Sequence, residues 1–467
     1  HGYIKGIIGL PANLFYGTGI PACIIVIDKQ NAQARKGIFM LDASSGYMKD
    51  GPKNRLREQD IHKIVDVFTK QTDVPKLARM VGLEEIEKND FNLNLPRYID
   101  SSVAEDLQDI AGHLQGGIPV ADIDSPALKP YWTVCPTLRQ SLFSTLRPGY
   151  LSLAVDKTTI KTTIHAHAEF TAFVQRMNTL FADWQTRTTP ALKALQAGFH
   201  PKQLIAELSE DLLTHYTGQP LMDAYAVYQH LMDYWATTMQ DDAYLIAADG
   251  WKAETYRVIE VKKNKDGKVT KTTDKGWACD LIPKPLIVAR YFAEDQAAID
   301  ELAASLDSIA AQLVELEEEH SGDDAAFSGF DKINKAGVTD RLREIKGDAD
   351  AKEEAEVLNH WLKLAKQEAD LKKQLRDAEA ALDAKALAQY PTLSQTDTQA
   401  LVVDDKWLAA LSTAIHGEMD RISQALTQRV KELADRYDTP MPQMANRVAE
   451  LEAKVNKHLA KMGFVWN

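Results

Sequence analysis

Two apolar runs near the start, residues 4–10 and 20–27, constrain this chain more than any other stretch. Both are rich in isoleucine, and neither alternates apolar with polar residues. Continuous apolar runs of this length predict strands in the middle of a sheet, covered on both faces. The connector is too long for a tight hairpin turn and unusual in content. Phe15 and Tyr16 stand beside Gly17, Thr18 and Gly19, while Pro11 and Pro21 stiffen the two ends. Glycine lets the backbone turn sharply or approach a ligand closely. Such a loop is suited to presenting a flat ring at a mouth.

The same stretch carries a resemblance. IGLPANLFYGTGIPACIIVIDK, then GIFMLDAS, NRLREQDIHKIVDVF and FNLNLPRYID, follow one another over residues 8–100. In content and order they resemble the methylation subunit of type I restriction–modification systems, a family of S-adenosylmethionine-dependent adenine-N6 DNA methyltransferases. The resemblance covers about residues 1–100. The family's D-P-x-x-G-S-G cofactor loop and its N-P-P-[FY] catalytic segment occur nowhere in the sequence. The resemblance therefore implies the C-terminal part of a longer enzyme, with S-adenosylmethionine bound by the full-length parent and no catalysis by this chain alone. It further implies a specificity subunit and a restriction subunit as partners, with DNA reached through their complex.

A base-modifying enzyme takes its target out of the stack and holds it between flat or apolar groups. The resemblance places Phe15, Tyr16, Gly17, Thr18 and Gly19 in the region lining that target-base pocket. The alternative is structural, with Phe15 plugging the base of the sheet and Tyr16 capping the loop. Both readings stand on sequence alone.

The formal charge of −13 argues against a simple DNA clamp, since phosphate contacts require Lys and Arg in excess. Three widely spaced cysteines, Cys23, Cys135 and Cys279, form no Cys-x-x-Cys pair and fit reduced thiols in a cytoplasmic location. No apolar run approaches the roughly 20 residues that cross a bilayer.

Three regions are expected. Residues 1–100 form the C-terminal strands of a Rossmann-like methyltransferase sheet, with a helix over 59–69 and a further strand near 80–86. Residues 101–293 form a mainly helical domain, with helices over 103–114, 138–146, 170–195, 201–216 and 225–239. Its dense aromatics, Trp132, Trp184, Tyr225, Tyr228, Tyr234 and Trp235 among them, read first as core packing. A β-hairpin lies near 255–273, turning at Asp266-Gly267. Lys262, Lys263, Lys265, Lys268 and Lys271 make it the most basic patch. The first four are candidates for DNA-backbone contacts, and a solvated edge protected by lysines is the other reading.

Residues 294–467 differ in kind. Leu302, Leu306, Ile309, Leu313 and Leu316 are spaced by fours and threes, as are Leu371, Leu375, Ala378 and Leu382. Two further runs pass through Leu411 to Tyr437 and through Met444 to Met462, broken by Pro440 and Pro442. This is the seam of coiled-coil-like helices. It predicts an arm that docks on the specificity subunit or on a second copy of the chain, or else packs upon itself. His165-Ala166-His167 has a spacing that suits a metal on a strand, but no third ligand accompanies it, and no metal is expected. The carboxylates fall on faces read as solvated, so no acid/base pair stands out. Two functions are compatible with all this: part of an adenine-specific DNA methyltransferase, or a non-catalytic helical assembly module.

Overall fold

Strand order follows from which runs can be covered. β1 (Ile4–Gly9), β2 (Cys23–Ile27), β3 (Gly37–Asp42), β4 (Met48–Asp50), β5 (Lys53–Arg55) and β6 (Ala78–Gly82) occupy the first part of the chain. Four of them form a mixed sheet in the order β2-β1-β3-β6, with β1 and β3 parallel and the outer two antiparallel to their neighbours. In the computed structural model, residues 1–102, 106–263, 269–322, 325–348 and 350–464 are described.

β3 is buried along its whole length. Side chains alternate between the two faces of a strand, and the core divides accordingly. Ile7, Ile38, Met40 and Val81 pack with Ile86, Leu95, Tyr98 and Ile99. Ile8, Phe39, Leu41 and Ala78 pack on the other side with Val67 and Phe68 of helix α1 (Glu58–Lys70). The closeness of this cover explains two glycines of β1. A Cβ on Gly6 would lie 2.5 Å from the Phe68 ring, and one on Gly9 2.5 Å from Leu95 Cδ1.

β2 departs from expectation. It is an edge strand, exposed at Cys23, Ile24, Ile25 and Ile27, with Val26 half-buried against the core. Apolar content on both faces says what a strand is able to bury. Whether a neighbour arrives to bury it is a separate matter.

The chain divides into two compact units, the first comprising residues 1–191, 200–241 and 408–467, the second 192–199 and 242–407. Beyond its sheet the first unit is mainly helical. α2 (Pro201–Tyr216) and α3 (Ala224–Tyr234) follow the expected spacing, and α3 continues into a π-helical turn, Trp235–Met239. Trp132, Trp184, Tyr228 and Trp235 are buried, as expected for core aromatics. Residues 138–146 are not one helix. A helix ends at Leu142, and β8 (Phe143–Arg147) pairs with β9 (Tyr150–Leu153), which also pairs with β7 (Ile118–Pro119). Pro148-Gly149, with Gly149 at φ +80°, makes the turn. Near 80–86 the strand ends at Gly82 and a helix, Leu83–Lys88, takes over. The expected helix at 103–114 is found over Ile110–Gln115, and residues 103–105 lie outside the described residues.

α4 (Ala409–Arg436) buries the third heptad run, with Leu411, Ile415, Met419, Ile422, Leu426, Val430 and Leu433 all inside. α5 (Met441–Lys461) carries the fourth run and has no buried residue.

In the second unit, helices Ala293–Glu319 and Lys352–Gln389 pack against each other. Leu313, Leu358, Trp361 and Leu364 form a core with Phe327 and Val338. The first two heptad runs thus lie on helices that pair within the chain. The hairpin is β10 (Tyr256–Lys263) and β11 (Val269–Ala278), anchored where Trp277 Nε1 donates to Asp383 at 3.0 Å. Asp242 is buried, accepting from Lys406 Nζ at 2.7 Å and Trp407 Nε1 at 2.8 Å. Among the described residues no helix is long and apolar enough to cross a membrane.

Candidate functional site

The parallel strands β1 and β3 point their carboxyl ends the same way, and open α/β sheets bind ligands beyond such ends. The two ends are tied together, Ala43 N donating to Gly9 O at 2.9 Å. The loop leaving β1 carries Phe15 to Gly19. The loop leaving β3 leads into the β4–β5 hairpin, and the two loops are joined. Asn54 N donates to Asn13 O at 3.0 Å, Asn54 Nδ2 to Ala12 O at 2.6 Å, and Lys53 Nζ to Phe15 O at 3.0 Å.

On this frame Tyr16 stands out almost free, 95% exposed, and Phe15 is 51% exposed. Phe15 is therefore not a plug in the sheet. Gly17 has φ +79° with open space where a Cβ would lie, so glycine is needed there for backbone conformation and not for clearance. Thr18 Oγ1 accepts from Ile20 N at 3.1 Å and closes the turn. All five expected residues share this one loop. Lys53 and Arg55 lie on the hairpin strand whose Lys53 and Asn54 bond to the loop, Arg55 being paired with Asp50 of β4 at 3.5 Å. Asp42 is buried at the end of β3, with its carboxylate accepting from Ser44 N at 3.0 Å and from Ser101 Oγ at 2.6 Å. Sequence reasoning did not single out that carboxylate, although its place at the end of an apolar run was a signal.

The expected basic residues fall in the other unit. Lys262 sits on β10 directly opposite Lys271 of β11, an arrangement of like charges that costs stability. Lys263 is on the same strand, while Lys265 and Lys268 lie outside the described residues.

The carboxylates are not all solvated. Asp42, Asp60, Asp242 and Glu418 are buried. Glu418 lies on α4 beside a polar cleft of about 610 Å³ that Arg55, Arg57 and His230 also line. Burial pushes its pKa up, but hydrogen bonds from Arg421 at 2.6 and 2.9 Å, with His230 at 3.7 Å, outweigh that and bring it down to about 2. It is an anchored anion and unsuited to proton transfer near neutral pH. His165 and His167 are not on a strand: His165 ends a helix, its Nε2 2.9 Å from Ser423 Oγ, and His167 Nδ1 accepts from Glu169 N at 3.3 Å. Among the described residues no group of three His, Cys, Asp or Glu side chains could hold a metal ion.

Residues 1–106 match the family described as N-6 DNA Methylase. The chain is 41% identical over 100 residues to the type I restriction enzyme MjaVII methylase subunit of Methanocaldococcus jannaschii, a match covering 21% of this chain and 17% of that protein. It is 31% identical over 108 residues to the MpnII methylase subunit of Mycoplasma pneumoniae, covering 23% and 20%. A solved type I restriction-modification methyltransferase subunit from Streptococcus thermophilus is 36% identical over 22% of this chain and 21% of that one, with a TM-score of 0.20. The matches thus span a fifth or less of those curated relatives. Residues 1–106 match the N-6 DNA methylase family, and that segment is similar to the methylase subunits of type I restriction enzymes.

Proposed function

We propose that this chain is the C-terminal portion of a type I restriction–modification methylation subunit, whose full-length form transfers a methyl group from S-adenosylmethionine to adenine N6 in DNA. The observation that carries the reading is the loop of Tyr16, held at the carboxyl ends of β1 and β3 inside the segment that matches the family. An exposed ring on a braced loop is the chemistry that stacks an extruded base. Phe15 contributes a second face, while Gly17, Thr18 and Gly19 hold the loop open.

The residues present do not fit S-adenosylmethionine. Asp42, the buried carboxylate at the strand ends, accepts from Ser44 N on one oxygen and from Ser101 Oγ on the other. No glycine-rich cofactor loop is present in the sequence. The cofactor and the catalytic segment therefore belong to a part of the parent outside this chain. β2 supports this division. An apolar edge strand exposed at Cys23, Ile24, Ile25 and Ile27 is an aggregation hazard, and a further strand of the same sheet would pair its edge. The specificity and restriction subunits are the partners this reading assigns. DNA is reached through their complex, with the β10–β11 lysines as backbone contacts.

The test is methyl transfer and cofactor binding by the chain alone and by the full-length parent. The chain alone should incorporate no methyl group into adenine and bind no S-adenosylmethionine, and the parent should do both. Incorporation by the chain alone overturns the division of labour. A parent that neither binds the cofactor nor methylates favours the second reading, a helical assembly module, which the uncovered α5 also supports.

A further inference from the structure

α5 combines an apolar seam with exposure along most of its length, only Leu459 being half-buried. Met444, Val448, Leu451 and Val455 are 47–62% exposed, and Met462 just past the helix end is 71% exposed. In heptad terms Met441, Val448, Val455 and Met462 take the a positions, and Met444, Leu451 and His458 the d positions. The helix is 21 residues long, three heptads. On its own a helix of this length is marginal in water, and most of its stability must come from packing on its apolar face.

The residues also say what covers the face. Valine at a with leucine at d favours two parallel strands over three or four. Charge selects direction. The g positions are Arg447, Lys454 and Lys461, all cationic, and Glu452 holds an e position. In an antiparallel pair g faces g, and the cationic row would meet itself. In a parallel, in-register pair g faces the e position of the next heptad across the seam, so Arg447 of each helix meets Glu452 of the other. Lys454 then lies over Leu459 at the next e position, with its aliphatic stem on apolar surface. His458, the one polar d residue, adds a register mark of the kind a single polar seam residue supplies at a cost in stability.

We propose that α5 pairs with α5 of a second copy of this chain as a parallel, two-stranded coiled coil. The pairing does not depend on the methyltransferase reading, because it uses no residue of the Tyr16 loop.

The experiment is sedimentation equilibrium of the whole chain over a concentration series. The wild type should show a concentration-dependent dimer. Leu451→Asp should weaken it by about 100-fold or more, since each dimer then carries two carboxylates in its seam, with the cooperative unfolding transition of the rest of the chain retained and far-UV circular dichroism losing at most the α5 contribution. Glu452→Arg alone should weaken self-association about tenfold, as should Arg447→Glu alone. Mixed together, these two charge variants should pair with each other at least as well as wild type. Leu451→Cys, made with Cys23→Ser, should form a disulfide-linked dimer on oxidation, because only a parallel in-register pair brings the two d positions face to face. A monomer at every concentration overturns the proposal, as does a dimer that Leu451→Asp leaves intact. Failure of the Leu451→Cys variant to cross-link overturns the parallel register. Loss of the folded transition in Leu451→Asp overturns the proposal too, since the seam would then be internal.

Discussion

α4 and α5 follow one another in sequence, carry the same three-and-four spacing of apolar residues, and end in opposite situations. α4 is buried along its seam and also at Glu418, Ser423 and Thr427 on its flanks. α5 has no buried seam position, and Met444, Val448, Leu451 and Val455 are exposed. The spacing is therefore silent on coverage. The flanks are informative. Beside the α4 seam stand small and hydroxyl residues, Ser423 reaching His165 and Thr427 donating to Ser423 O at 2.8 Å. They allow α3 and the helix Ile160–Ala166 to close over the seam. Beside the α5 seam stand Arg447, Glu452, Lys454 and Lys461, which need water or opposite charge. Where α4 carries a flanking charge, Glu418, its own chain supplies the partner in Arg421 and His230, whereas the charged flanks of α5 stand in solvent.

The strongest test of that contrast is Leu426→Asp in α4. A carboxylate forced into a fully packed site should cost about 4 kcal/mol or more, and urea denaturation should show the folded state of the first unit lost or nearly so. A folded, cooperative Leu426→Asp would mean that the α4 seam is no more internal than the α5 seam.

Glu418 sharpens the comparison through pH. Its folded-state pKa is depressed to about 2, so its contribution is fully present above the ordinary carboxylate range and is lost as pH falls from about 4.5 towards 2. A shift of that size corresponds to about 3 kcal/mol at neutral pH. Glu418→Gln should lower stability by about 2–3 kcal/mol at pH 7 and flatten the acid limb of the stability profile, as read from urea midpoints across a pH series. An unchanged acid limb would mean that Arg421 and His230 do not hold the carboxylate in solution.

Exposed groups should behave in the reverse way, with little effect on folding and a large effect on function. Tyr16→Ala in the full-length parent should reduce adenine methylation by about 1–3 kcal/mol of stacking energy, about 5- to 150-fold, with cofactor affinity and melting temperature held. Equal losses in methylation and cofactor binding would point to a structural role for the loop.

The smallest effects belong to the uncovered seams. Leu451→Asp in α5 and Ile25→Thr in β2 should each change stability by no more than about 0.5 kcal/mol, measured by denaturant titration at low protein concentration. A larger loss at either site would reveal an internal contact.

Legibility in the sequence followed the same division between pattern and coverage. The strand of residues 4–9 was visible as a continuous apolar run, and α1, α2 and α4 were visible because apolar residues at period 3.6 report a buried face directly. The Tyr16 loop was legible from its glycines and prolines. β2 was misread as central because isoleucine content on both faces does not count neighbours. Residues 138–146 were misread because the apolar spacing of Leu138, Leu142 and Leu146 outweighed the Pro148-Gly149 turn, which marks a hairpin. The two histidines of 165–167 were placed on a strand because their spacing was taken without the helical pattern of Ile160 and Ile164, both buried. The burial of Glu418 and Asp242 was not legible at all, since their partners Arg421, His230, Lys406 and Trp407 are assembled by the fold, for the most part from distant positions.

One consequence of the way the units share the chain concerns synthesis. The first unit is interrupted: its α4 follows the whole of residues 242–407, which belong to the second unit. At about 5–20 residues per second, that insertion occupies the ribosome for roughly 10–30 s after α3 has emerged. Throughout that interval α3 and the helix Ile160–Ala166 have no α4 to close upon, so their apolar faces are open to chaperones. The second unit has all its residues by position 407 and is free to fold first. The order of completion along this polypeptide is therefore the reverse of the order in which the units begin.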